Sequence, residues 1–449
     1  MVHLFVSISR FTLIIMFAIY TYDCFAALKR KTSEKRQNRI YHRQNGILYL
    51  MLLNANAVLF AVTMDFRILV LLGAEMVFFA VTLAIYRHFY RNASRSLVNN
   101  MCMLLAIGFI ILTRLNFEQA VRQFIIAAAA VVITCFIPVL VAKLKVFNKL
   151  AWLYALVGLA GLAVVAVAGS TDYGAKLKLN LGPVSIQPSE FIKIIFVFFC
   201  SAMLVKSTEF IHVVKTTIIA ALHVLILVIS RDLGGALIFL ITYLAILYVA
   251  TRQPGYLVLG LGSGAVASVA AYFLFSHVRT RVIAWENPLS VIDNEGYQIS
   301  QSLFAIGTGG WFGSGLYQGM PQKIPVVTKD FVFAAISEEM GGFFALCLIF
   351  VCISCLLMFF NIAMQMKDLF YKLVALGLAT LYGTQVFLTL GGVTKFIPST
   401  GVTLPLVSYG GSSLLASMIL FAIIQGLYVL HVNEGELYED NKKKQKRFN

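Results

Sequence analysis

Charge is what this sequence has least of. Of its 449 residues only 12% are charged, against 60% that are apolar, whereas a water-soluble domain carries about 25% charged residues. Too few polar groups remain to cover a water-facing surface. Metal-site and nucleotide-loop patterns are absent as well. There is no Walker A loop, no H-E-x-x-H and no His/Cys cluster at metal-ligand spacing. The seven cysteines (Cys24, Cys102, Cys135, Cys200, Cys347, Cys352 and Cys355) fall in or beside apolar runs and read as small buried residues. Gly260-Leu261-Gly262-Ser263-Gly264 is faintly like a dinucleotide turn. It lies inside an apolar run with no strand before it, so close helix packing is the better account.

What is present is a series of apolar runs long enough to cross about 30 Å of hydrocarbon, roughly 20 residues each as helix. Backbone groups in lipid must be satisfied internally, so these runs are helices or a closed barrel. Stretches such as 123–142 and 345–360 do not alternate as barrel strands do. The reading is an all-α polytopic transmembrane bundle of about 13 spans. They lie near 4–27, 46–64, 68–86, 98–114, 123–142, 150–169, 189–205, 213–230, 234–250, 255–276, 331–360, 373–391 and 409–430.

The net charge of +16 does not indicate a nucleic-acid partner, because the basic residues are scattered through short loops. The partner they fit is the membrane lipid. The first span reads either as a cleavable signal, with Phe25-Ala26-Ala27 at its end, or as a retained span. Basic residues from Lys29 to Arg43 follow it and favour retention with the N-terminus outside. Alternation then puts Arg87, Arg91, Arg95, Lys143, Lys145, Lys149, Lys206, Lys215, Arg252, Lys367, Lys372 and the tail Lys442–Arg447 inside. Roughly two-thirds of the 36 basic residues fall there. The same alternation places the polar segments 170–188, 277–330 and 392–408 outside, together with Ser230-Arg231-Asp232. The middle segment is far longer than a helical connection needs, and long loops on a rigid scaffold carry chemistry. The tail from Asn433 reads as solvated and disordered.

The long segment contains Arg279 and Arg281, Trp285, Asn287-Pro288, Gly296-Tyr297-Gln298, a glycine-rich stretch from 307 to 319, and Lys329-Asp330-Phe331 before Ser337-Glu338-Glu339-Met340-Gly341. Upstream stands Gln187-Pro188-Ser189-Glu190 with Lys193. Downstream stand Ile397-Pro398, Gly401, Leu404-Pro405 and Ser408-Tyr409-Gly410-Gly411-Ser412-Ser413. In these motifs and their order the sequence resembles the SEDS family, the RodA, FtsW and SpoVE proteins that polymerise peptidoglycan glycan strands from lipid II. The resemblance covers roughly 99–432. It departs at Lys329, where the family has Thr before its Asp-Phe, and at Arg231, Asn287, Thr389 and the Gly174-Ala175 region.

The resemblance implies a ten-helix core over 98–432. Residues 1–97 are then extra N-terminal spans of no legible purpose, and 433–449 a basic cytoplasmic tail. It makes Asp330 catalytic. By position alone that residue reads as a helix cap, or as a base that can meet a lipid headgroup at the membrane boundary. Lys193 and Glu190 share a helix face and read either as a mutual ion pair or as a functional intramembrane charge. Arg279 and Arg281 suit either a leaving diphosphate or anionic lipid headgroups. With Asp232, Gln298 and Ser408 they complete the expected substrate-binding set. Glu338 and Glu339 lie about 12–13 Å along a helix from Asp330 and read as structural, as does Glu75 in one of the extra spans.

The expected activity is glycosyl transfer from a lipid-linked disaccharide at the outer face of a bacterial cytoplasmic membrane, serving wall synthesis in elongation or division. A class B penicillin-binding protein is the implied partner. No cofactor is required by the sequence; a divalent cation, Mg or Mn, is an optional addition for the diphosphate, and no metal cage is legible. Two other classes stay open: a flippase for the same precursor, and a non-catalytic scaffold of the wall-synthesis complex.

Overall fold

The structure, a computed structural model, describes residues 2–29, 33–90, 92–143, 146–172, 175–181 and 184–448. Of the residues named above, Arg91, Lys145 and Gly174 lie outside the described residues, as do Arg30 and Lys31 of the first basic run.

The chain opens with α1 (Val2–Ala27), α2 (Glu34–Thr63) and α3 (Phe66–Phe89). Next come α4 (Arg95–Leu115), α5 (Phe117–Thr134), the short α6 (Ile137–Lys143) and α7 (Ala151–Ala168). Strands β1 (Ser170–Asp172), β2 (Ala175–Leu181) and β3 (Val184–Ile186) precede α8 (Pro188–Lys206), α9 (Phe210–Ile229), α10 (Leu233–Thr251) and α11 (Pro254–Leu274). Then follow α12 (Ser276–Glu286), α13 (Tyr297–Gly309), α14 (Val332–Met340), α15 (Gly342–Gln365), α16 (Leu369–Val393) and α17 (Gly411–Phe448). Among the described residues, 13 helical segments are long and apolar enough to cross a membrane.

Local chemistry sets the ends of these helices. Asp65, Asn116, Asp232 and Asp368 cap α3, α5, α10 and α16 by accepting backbone N–H groups of the first turn. The turn between α5 and α6 falls where Pro138 removes an N–H and its ring crowds the carbonyl four residues back, that of Thr134.

Five expectations need correction. A continuous span over 331–360 fails at Gly341, which has φ +91°, and a Cβ there would sit 2.3 Å from the Gly313 nitrogen. Only glycine accepts that conformation, so α14 ends short and α15 begins anew. The polar segment 170–188 is not plain loop but an antiparallel sheet in the order β1-β2-β3, with Ser170 opposite Lys178 and Leu179 opposite Ile186. Segment 277–330 carries α12 and α13. The second span starts at Glu34 rather than 46, because polar residues there still find partners: Gln44 is buried and accepts from Asn99 at 3.0 Å. The tail after Asn433 continues α17 to Phe448, since most of its residues are good helix formers.

The core centres on α4, where every residue from Ser96 to Arg114 is buried. Helices α2, α3, α5 and α15 pack around it. Gly108 lets the backbone at Leu406–Val407 approach; a Cβ there would lie 2.8 Å from the Val407 oxygen. Buried polar groups in this core are mostly bonded to each other. Tyr20 donates to Asn100 at 3.1 Å, and Asn100 donates to Ser354 at 3.3 Å. Asp23 of α1, fully buried, pairs with Arg43 of α2. Glu75 of α3 is buried too, and among the described residues its carboxyl oxygens have no hydrogen-bond partner.

Candidate active site

One segment, residues 394–410, gathers the polar side chains of this end of the bundle. Trp285 and Arg281 lie one turn apart on α12. Their side chains donate to the carbonyls of Lys395 at 3.1 Å and Thr400 at 3.2 Å. From α16, Gln385 donates to the Thr403 carbonyl at 3.0 Å and Thr389 to the Val402 carbonyl at 2.9 Å. From α5, Gln123 holds the turn at both ends, donating to the Ser408 carbonyl at 3.0 Å and accepting from Gly410 N–H at 3.2 Å. The first turn of α10 packs here as well, since a Cβ on Gly234 would lie 2.5 Å from Val402.

The turn leading to Asp330 is stitched to the same segment. Tyr409 N–H donates to the Thr328 carbonyl at 2.8 Å, and the Ser408 hydroxyl donates to the Lys329 carbonyl at 2.6 Å. Gly401, at φ +75°, brings the backbone to the point where two charges meet. A Cβ built there would lie 3.7 Å from Asp330 Oδ2 and 3.8 Å from Arg281 Nη2. The carboxylate and the guanidinium therefore flank one backbone position.

Behind them lies a second charged group. Lys193 is buried and donates to Glu190 at 2.7 Å and to Gln385 at 2.8 Å. Asp232 caps α10 by accepting Gly235 N–H at 2.8 Å. Burial pushes the Asp232 carboxyl above its usual range and the Glu190 charge adds to this; the Gly235 N–H, Lys193 and Arg281 oppose it. Arg281 is pulled down by burial and held up by Asp330 and Asp232. Asp232 thus feels both halves of the cluster, which carries two cations and three carboxyl groups.

Five of the residues named from sequence come together in this way: Asp330, Arg281, Asp232, Glu190 and Lys193. Ser408 is beside them, but its hydroxyl is engaged by backbone, donating to Lys329 and accepting from Leu404 N–H at 2.9 Å. Arg279 turns away. Two residues from Arg281 on a helix is over half a turn, and Arg279 donates to the Phe273 carbonyl at 3.2 Å and faces the Tyr272 ring. Gln298, in the first turn of α13, makes no hydrogen bond to the cluster. Gln385 and Gln123 were missed from sequence, although an uncharged amide inside an apolar run is a signal of the same kind as a charge. Among the described residues no three His, Cys, Asp or Glu side chains gather as metal ligands, and Glu190 already faces a lysine. These residues do not make a cage for Mg or Mn.

A family model described as "Cell cycle protein", for FtsW, RodA and SpoVE, matches residues 95–431. The chain belongs to this family. Among its relatives is the peptidoglycan glycosyltransferase RodA of Mycobacterium tuberculosis, 39% identical over 323 residues, 67% of either chain. Stage V sporulation protein E of Bacillus subtilis is 33% identical over 274 residues, 57% of this chain and 70% of that one. Among solved structures, a chain of a peptidoglycan synthase complex that coordinates polymerization and crosslinking superposes with a TM-score of 0.64 at 25% identity. It covers 76% of this chain and 98% of that chain. Thermus thermophilus RodA gives 0.58 at 25% identity, over 75% and 96%. Membership and 13 apolar helical segments make this FtsW/RodA/SpoVE-family chain a multi-pass membrane protein. The match begins at α4, so α1 to α3 lie outside it.

Proposed function

We propose that the chain is a peptidoglycan glycosyltransferase that polymerises lipid II at the outer face of a bacterial cytoplasmic membrane. The observation that carries this reading is the meeting of Asp330 and Arg281 at Gly401. An acceptor sugar hydroxyl attacks the anomeric carbon of the growing strand, and its proton passes to the Asp330 carboxylate. The bond from that carbon to the polyprenyl diphosphate breaks with its electron pair on the diphosphate oxygen, and the configuration inverts. Arg281, with Lys193 behind it, offsets the charge that develops there. Glu190 and Asp232 fix where those cations stand.

The outer location is supported by the excess of Lys and Arg in the loops at the opposite end. The neighbouring synthase complex supports a class B penicillin-binding protein as the partner that crosslinks the strands.

The test uses purified protein in detergent with labelled lipid II. Polymer formation should fall by at least about 100-fold in Asp330→Asn, with thermal stability retained. A folded variant that polymerises at the wild-type rate would remove Asp330 from the reaction. Movement of lipid II across liposomes without polymer would instead favour a flippase.

A further inference from the structure

Helices α1 to α3 take no part in the reaction above, yet α1 reaches the segment that carries the site. Arg10 donates from Nη1 to the Gly313 carbonyl at 2.8 Å. The Phe11 ring meets Phe312 at 5.6 Å between centroids. Val6, one turn before Arg10, closes against Gly315, where a Cβ would lie 2.8 Å from it. Three side chains from adjacent turns of one helix thus grip three residues, Phe312, Gly313 and Gly315. Lower down, α1 is fixed to the core by Phe17 on Phe344 at 4.4 Å and by Tyr20 on Asn100.

The gripped segment stands in for the missing continuation of α14. Ser314 and Gly315 N–H groups donate to the Glu338 and Glu339 carbonyls at 2.9 and 2.8 Å. Across the Gly341 break, Gly342 and Phe343 donate back to the carbonyls of Gly310 and Trp311 at 2.8 and 3.1 Å. From the far side, Arg114 of α4 pairs with Glu339 at 2.8 Å and lies 3.9 Å from the Tyr317 ring centroid. Segment 310–319 and α14 are therefore one body, and α14 follows Asp330 after the single buried residue Phe331. Whatever holds segment 310–319 holds Asp330.

We propose that α1 is a brace for the active-site carboxylate and that Arg10 is a positioning residue for glycosyl transfer. This rests on the polymerase reading for its kinetic consequence only. An apolar side chain would serve if α1 merely needed to pack. A guanidinium directed at a loop carbonyl fixes the loop's position as well. Displacement of a reacting group by about 1 Å can cost on the order of 100-fold in rate.

The experiment compares wild type, Arg10→Ala, Arg10→Lys and Asp330→Asn as full chains, by lipid II turnover and by amide hydrogen exchange over 310–319. Arg10→Ala should lower kcat roughly ten- to 100-fold with little change in KM, and should speed exchange in that segment. Arg10→Lys should recover part of both. Exchange over 310–319 that matches wild type in Arg10→Ala overturns the brace, whatever the turnover. So does faster exchange with unchanged kcat in an active enzyme. Asp330→Asn separates the two readings: it should abolish polymer and leave exchange untouched. If it polymerises normally, Asp330 is removed from the reaction, while the exchange result for Arg10 still decides whether α1 holds the segment. A crosslinked Phe11→Cys/Phe312→Cys protein should keep its turnover; loss of activity on closure means that α1 must leave, which also overturns the proposal.

Discussion

Helices α4 and α11 are each 21 residues long and their most apolar 18-residue windows share a mean hydropathy of 1.9, yet every residue of that window is buried in α4 and none is fully buried in α11. Hydropathy alone assigns them the same place. The difference is in their polar residues. Helix α4 carries Asn99, Asn100 and Arg114, each with a partner on another helix, whereas α11 carries Gly and Ser whose hydroxyls turn back to their own helix. In lipid, apolar surface gains nothing by leaving the hydrocarbon, so polar pairing and close packing decide which helix goes inside.

The largest expected effect breaks the buried side of this comparison. Arg114→Ala leaves the Glu339 carboxylate, 0% exposed, without its cation, and should cost about 3–5 kcal/mol. The thermal midpoint in detergent reads this. Arg114→Met with Glu339→Leu should recover most of the loss, because the pair holds position more than it stabilises. An unchanged midpoint in the single variant would mean the pair is solvated.

A smaller effect belongs to α10, the helix against which α11 leans. Burial raises the Asp232 carboxyl above its ordinary value of about 3.9. A raised carboxyl contributes stability that is fully present below the unfolded value and is lost as pH rises through the folded one. Asp232→Asn keeps an oxygen to cap Gly235 and has no such dependence. Its midpoint should therefore gain on wild type as pH rises from about 4; a gap that stays constant with pH refutes the burial argument.

The smallest effect should come from α11 itself. A Cβ on Gly262 meets nothing within 4 Å, so Gly262→Leu should not destabilise and should gain at most about 1 kcal/mol from helix propensity. A loss would show that a protein surface covers this helix.

Much of this was legible beforehand, for physical reasons that also explain the gaps. The spans could be counted because a membrane demands a fixed length of apolar helix. The charged cluster could be named because ionised groups beside hydrocarbon are costly and stand out. Two of the unread features have a plain physical reason. The alternation in Lys176-Leu177-Lys178-Leu179-Asn180-Leu181 marks β2, but in so short a segment the polar residues speak for loop. Gly341 lies in a run apolar enough to be one helix, and the backbone of 311–313 that leaves no room for a Cβ there is distant in sequence. Arg281 and Arg279 were equivalent in sequence; the helix between them aims one at the site and the other away.

The four hydrogen bonds across the Gly341 break constrain the length of segment 310–315 more than its side chains. An added residue there would leave peptide groups of α14 and α15 unmatched near hydrocarbon, where no water can take their place. The mostly exposed stretch 289–295 is closed by bonds within itself, from the Asn294 and Gly296 N–H groups to the Val291 carbonyl, and can lengthen at less cost. Family members should therefore differ in size at the second of these segments and agree at the first, even where the amino acids themselves do not match.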